Sequence, residues 1–163
     1  MTYDSSSILV NMGTPTFKTY MVSGNNLQLA ERDPNTGVGS GAQDLFSEIV
    51  NLQALYGKDE DSNGTVDKYD NIAPTTADGW KQVIALRIAL VARNNKYERE
   101  VVTDSEPLWD VGKSIDVANE KYLAPCGGSQ CITLKIDHLD DWKHYRYKVY
   151  TTTVPLRNVL WNS

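Results

Sequence analysis

The segment Val83-Ile-Ala-Leu-Arg-Ile-Ala-Leu-Val-Ala-Arg93 constrains this chain more than any other stretch. From Val83 to Ala92 it is the longest apolar run, broken only by Arg87, and it falls well short of the roughly 20 apolar residues that span a bilayer. Ile84, Leu86, Ile88 and Leu90 alternate strictly, and Arg87 falls with Ala85 and Ala89 on the opposite face. That is the two-residue period of a strand. Ala and Leu also form helices well, so a buried helix competes; the alternation favours the strand. Asn94-Asn95 then supplies a turn, and Lys96 to Val102 reads as a returning strand.

The same pattern recurs along the chain. Ser7 to Asn11 reads as a strand ended at Gly13-Thr-Pro15. Phe17–Val22 and Asn26–Ala30 flank Ser23-Gly24-Asn25, a hairpin signature. Cys131–Asp137 alternates with Ile132, Leu134 and Ile136 inward, and Tyr145–Tyr150 places Tyr145, Tyr147 and Val149 on one face. Residues 103 to 125 read as irregular. Arg32 to Gly41 is a loop rich in turn formers. After it, Leu45, Ile49, Leu52 and Tyr56 recur at helical spacing, with Asp44 and Glu48 near the start and Gly57 as the stop. This predicts the main helix over 42–56. Thr76 to Trp80 reads as one short turn. The expected fold is α+β: antiparallel sheet with one substantial helix, in a single domain over 1–163.

The formal net charge of -5 and the pI near 5.0 argue against a phosphate-backbone partner. Lys and Arg are scattered singly, with no basic stripe interleaved with aromatics, which sets nucleic acid aside. The polar opening Met1-Thr-Tyr-Asp-Ser-Ser-Ser is not a secretory signal. The chain is therefore either cytosolic or exported and seen without its leader. Cys126 and Cys131 favour export. The two glycines between them let the backbone bring the sulfurs together, so a disulfide is expected, and with it an oxidising compartment. Such a short ring contributes only about 2 kcal/mol. Reduced thiols, or half of a zinc site completed by His138 and His144, are the alternatives.

The most chemical feature is Asp59-Glu-Asp61-Ser-Asn63-Gly64-Thr65-Val66-Asp67-Lys-Tyr-Asp70. Oxygen side chains at loop positions one, three and five, with glycine at six, match the calcium loop of an EF-hand. Calcium takes about six to eight hard oxygens, and this alternation converges three side chains on one point. Asp59, Asp61 and Asn63 are the candidate side-chain ligands, with the Thr65 carbonyl, Asp67 directly or through water, and Asp70 at position twelve. Gly64 permits the sharp turn and Val66 points into the fold. Two departures stand against the pattern: position twelve is Asp where a bidentate Glu is usual, and Pro74 blocks an exiting helix. A solvated acidic turn is the bland reading. The expected role of calcium is structural.

Other constellations carry little. His138 and His144 have Asp140 and Asp141 between them, but no nucleophile or third partner is set by spacing, and surface groups in a turn are the expectation. Gly37-Val-Gly-Ser-Gly41 lacks the Lys of a P-loop, and its helix would follow a polar loop where a dinucleotide fingerprint needs a strand. Trp80, Trp109, Trp142 and Trp161 read as core and edge packing sooner than as a glycan platform. Trp161 lies next to the C-terminus, where an apolar end suggests docking onto this domain or a neighbouring subunit.

Trp80 to Arg93, Tyr145-Arg-Tyr147 and the closing Val154-Pro-Leu-Arg-Asn-Val-Leu-Trp161 resemble the C-terminal part of PilW-type minor pilins of type IV pili. Asp33 to Ala42 and the region after it are similar to members of that family too. The resemblance implies a pilin-like globular head whose leader and long hydrophobic N-terminal helix are absent from this chain. It implies a structural subunit without catalytic residues that acts in the cell envelope. Such a subunit starts at the inner membrane and periplasm and moves to the extracellular pilus tip. Its partners would be other minor pilins, the major pilin and a large tip adhesin. Pseudopilin J of type II secretion is a related identity, and a calcium-dependent adhesin head is the rival of another class.

Overall fold

The computed structural model describes residues 14–112 and 123–156. The predicted strand at Ser7 to Asn11 lies outside them. The hairpin forms as its sequence requires: β1 (Phe17–Ser23) and β2 (Asn26–Arg32) pair antiparallel from Phe17↔Arg32 to Ser23↔Asn26. Gly24 and Asn25 both take positive φ, at 56° and 61°, which matches the right-handed twist of the two strands.

The predicted helix over 42–56 is corrected by the structure. That stretch is extended, as β3 (Gln43–Ser47) and β4 (Ile49–Lys58), with a corner at Glu48, whose φ is 59°. The corner is held by Arg93, whose N–H donates to the Glu48 carbonyl at 2.8 Å and whose Nε pairs with Oε2 at 2.8 Å. The corner at Glu48 and the register shift at Ile49/Asn51 break the period of two, so the apolar residues fell at helix-like intervals. Long pairing with a distant strand outweighs a weak helical preference.

That distant strand is β6 (Val83–Arg93), the centre of the larger sheet. The sheet has the order β10-β6-β4-β5, where β5 is Lys68–Asp70 and β10 is Tyr147–Pro155. The smaller sheets run β1-β2-β3 and β7-β9-β8, with β7 at Leu108–Gly112, β8 at Leu123–Cys126 and β9 at Ser129–Thr133. β7 and β8 fall where the sequence read as irregular. The short turn near Trp80 is α1 (Ala77–Lys81), capped by the Thr76 hydroxyl accepting from Gly79 N–H. The described residues are thus antiparallel sheets with a single short helix, an α+β arrangement.

Lys96 to Val102 is not the returning strand expected. Its backbone instead docks on the 3-10 turn Trp142–His144: Glu98 N–H donates to His144 O, and Val102 N–H to Lys143 O. The return to β6 is made by β10, which pairs from Tyr147↔Arg93 to Pro155↔Ala85.

The core joins the larger sheet to β7 and β9. Val50, Leu55, Ala89 and Val91 cluster with Trp109, Val111, Ile132, Leu134 and Ile136; the last three were expected inward. Gly57 is needed in this packing. A Cβ there would lie 2.9 Å from Tyr69 Cε1, 3.1 Å from Val66 Cγ2 and 3.2 Å from Ala85 Cβ. Gly57→Ala is therefore expected to destabilise the fold by about 1–3 kcal/mol, read as a lower urea midpoint at unchanged slope.

Candidate functional site

The acidic loop joins β4 to β5 and is pinned at both ends: Asp59 N–H donates to Gln82 O and Asp67 N–H to Lys58 O, each at 2.9 Å. Within it, backbone donors aim at carboxylates. Asp59 is buried, its Oδ1 accepting from Asn63 N–H at 3.0 Å and its Oδ2 from Gly64 N–H at 2.8 Å. Asp67 Oδ2 accepts from Glu60 N–H at 2.7 Å, and Asp61 Oδ1 from Asn63 N–H at 3.2 Å. Gly64 takes the left-handed φ of 83° that only glycine adopts freely. Val66 packs inward, against Gly57.

One carboxylate oxygen each from Asp59, Asp61 and Asp67 lies within a group 4.8 Å across. Three hard anionic donors so close fit a hard divalent cation, and each carboxylate has lone pairs beyond those used by the loop's N–H groups. Asn63 Oδ1 accepts from the Thr65 N–H at 2.8 Å and from the Thr65 hydroxyl, so ligation through Asn63 would compete with Thr65.

Asp70 is not brought to this group, which corrects its assignment as the twelfth-position ligand. It is buried in β5, with Oδ2 on Lys58 Nζ at 2.7 Å and Oδ1 accepting from Ile72 N–H at 2.9 Å. Lys58 also donates to Ile72 O at 2.9 Å. A buried carboxylate requires a counter-ion, and the lysine across the β4–β5 pair supplies it. Lys58→Met leaves Asp70 uncompensated and is expected to cost about 3–5 kcal/mol. In urea denaturation the double variant Lys58→Met/Asp70→Leu should recover most of that loss.

The remaining candidates separate clearly. Cys126 and Cys131 lie diagonally on the paired strands β8 and β9 with Cα atoms 5.6 Å apart, a separation that suits a disulfide. His144 stacks on Tyr97 with ring centroids 5.1 Å apart, its Nδ1 2.9 Å from Glu98 O. His138 borders the groove between β1 and β4, so the structure forms no site from the two histidines. Trp109 is core, Trp142 packs against the core, and Trp80 is exposed with its ring edge-on to Tyr56 at 5.6 Å. Trp161 lies outside the described residues.

What sequence reasoning missed is a surface. The faces of β6 divide its side chains by size. Val83, Ala85, Ala89 and Val91 are buried, while Ile84, Leu86, Ile88 and Leu90 are only half-buried and belong to the opposite face. Residues directly across from them extend that face: Leu52, Ala54 and Tyr56 on β4, Tyr150, Thr152 and Val154 on β10. Tyr150 and Val154 are exposed at 52% and 41%. Alternation told the two faces apart but not which one the core would take. Arg87 marks the core side and is kept there by donating to Val111 O at 3.0 Å with its guanidinium over the Tyr69 ring.

The described residues form a β-rich domain of antiparallel sheets, with an aliphatic strip on one face of the larger sheet and an acidic loop between β4 and β5. The chain belongs to the PilW family, type IV pilus-assembly protein W, whose family model matches residues 18–158. It is therefore a protein of type IV pilus assembly, acting with other pilus components at the cell envelope. No curated protein and no solved structure matches the chain. No helix among the described residues is long and apolar enough to cross a membrane.

Proposed function

We propose that this protein is a minor pilin of the type IV pilus, a priming subunit of the tip complex that acts by docking, without turnover. The observation that carries the reading is the aliphatic face of the larger sheet. Leu52, Ile84, Leu86, Ile88 and Leu90 form one continuous strip, and a strip of this kind gains free energy only when something apolar covers it. Three neighbouring strands span about 10 Å, close to the width of one α-helix. A subunit helix packed there would be held by burial alone. The partners of this reading are other minor pilins, the major pilin and a large tip adhesin, met first at the inner membrane and periplasm and finally at the pilus tip.

Placing a charge on the strip tests the reading. Ile88→Glu in the full protein is expected to abolish surface pili, counted by electron microscopy, while the purified domain keeps its circular dichroism spectrum. Normal piliation with Ile88→Glu overturns docking through this face.

The loop at Asp59, Asp61 and Asp67, with Asn63 and the Thr65 carbonyl, is proposed to hold calcium as a structural ion. Calcium would neutralise three converging carboxylates and tie β4 to β5. With calcium at about a hundred times its dissociation constant, the gain is about 2.7 kcal/mol, or roughly 5 to 10 °C in melting temperature for a domain of this size. Thermal melts with calcium and with EDTA read it directly; identical midpoints remove the ion from the account. Cys126 and Cys131 are proposed to form a disulfide that pins the β8–β9 hairpin, in keeping with an oxidising compartment.

A further inference from the structure

β10 is an edge strand without the usual protection. Its inner side pairs with β6 over its whole length with no register shift, and among the described residues no strand lies on its outer side. From Thr151 to Pro155 every residue is exposed, whereas Tyr147 and Val149 nearer the start of the strand pack against the core. Proteins usually blunt such edges with lysines, prolines, bulges or shortness. Here Lys148 stands near one end and Pro155 at the other, leaving Val149-Tyr-Thr-Thr-Thr-Val154 without charge, proline or glycine.

Most other edges among the described residues are guarded, β8 by its length of four residues and by Pro125. β3 is five residues long, carries Asp44 and has a register shift. β5 has three residues. β7 has five, with Asp110 and a shift. β1 runs beside β4 across a groove bordered by Tyr20, Val22, Val50 and Leu52.

We propose that the outer edge of β10 receives an extended strand from another component of the type IV pilus. The inference rests on the docking reading and names the partner's chemistry. Among the described residues the outer N–H and C=O groups of β10 have no strand partner, and such a row is matched only by another extended backbone. The unguarded run spans about 20 Å, enough for six added residues. On the face shared with Leu86, Ile88 and Leu90, the strand presents Tyr150, Thr152 and Val154. The incoming strand therefore carries apolar or β-branched residues at alternate positions there, and a neutral or acidic residue beside Lys148. A second copy of this chain is the weaker occupant. Two identical edges pair about a two-fold axis and close on themselves, whereas a growing filament joins unlike surfaces head to tail.

The test is made in piliated cells with the full protein. Thr151 and Thr153 are replaced, one at a time, by photo-crosslinking benzoylphenylalanine, and the cross-linked peptides are sequenced by mass spectrometry. The expected result is cross-links from both positions to one segment of a different pilus component, at residues two apart. Cross-links to a second copy, to scattered segments or to nothing overturn the proposal. Thr151→Lys/Thr153→Lys should lower piliation by about tenfold or more, as loss of about 1.4 kcal/mol in docking requires, with an unchanged melting point for the purified domain. If the double lysine variant piliates normally while Ile88→Glu does not, strand addition falls and docking through the aliphatic face stands.

Discussion

Everything else in this structure hangs on β6 being paired on both sides. β10 and β4 hydrogen-bond to it along nearly its full length, so its backbone is satisfied within the sheet and only its two faces remain to be covered. One face is lined with Ala85, Ala89 and Val91, all buried, and small side chains let a second layer approach. That layer is β7 and β9, which bring Trp109, Val111 and Ile132. The larger residues of β6 are thereby left on the side away from the core. Burial of the small face and exposure of the large one are a single event, and the proposed docking role rests on it.

The acidic loop depends on the same sheet. Its ends are clamped by backbone bonds to Lys58 and Gln82, and the adjoining Lys58–Asp70 pair locks β4 to β5. Asp70 is thus spent on a buried ion pair, while Asp59, Asp61 and Asp67 remain gathered in the loop. The proposed calcium site rests on these converging carboxylates, held at the junction of β4 and β5. It also means that the loop and the aliphatic strip share β4 as a common support.

Much of this was legible in the chain itself. The hairpin at Gly24-Asn25, the β6 alternation, the inward set Ile132, Leu134 and Ile136, and the short turn at Thr76 all rest on local rules: a glycine turn, a two-residue period, a helical turn after a breaker. The reading of 42–56 as helix failed because the corner at Glu48 and the register shift at Ile49/Asn51 interrupt the period of two, and because the β6 residues that pair with β4 lie 25 (Lys58↔Val83) to 43 (Ile49↔Ala92) positions away. Lys96–Val102 failed in the opposite way. It alternates like a strand, yet its N–H groups find carbonyls in the Trp142–His144 turn.

By itself the sequence determined the family, the closeness of Cys126 to Cys131 and the gathering of carboxylates around Gly64, because family motifs, short rings and closely spaced oxygens are properties of neighbouring residues. Only the tertiary structure decided which face of β6 would be covered, that Asp70 would serve Lys58, and that β10 would stand at an open edge. Those outcomes turn on which distant strand arrives alongside. A chain's periodicity states that two faces exist, but the partner that packs against one of them assigns the other to solvent or to a neighbour.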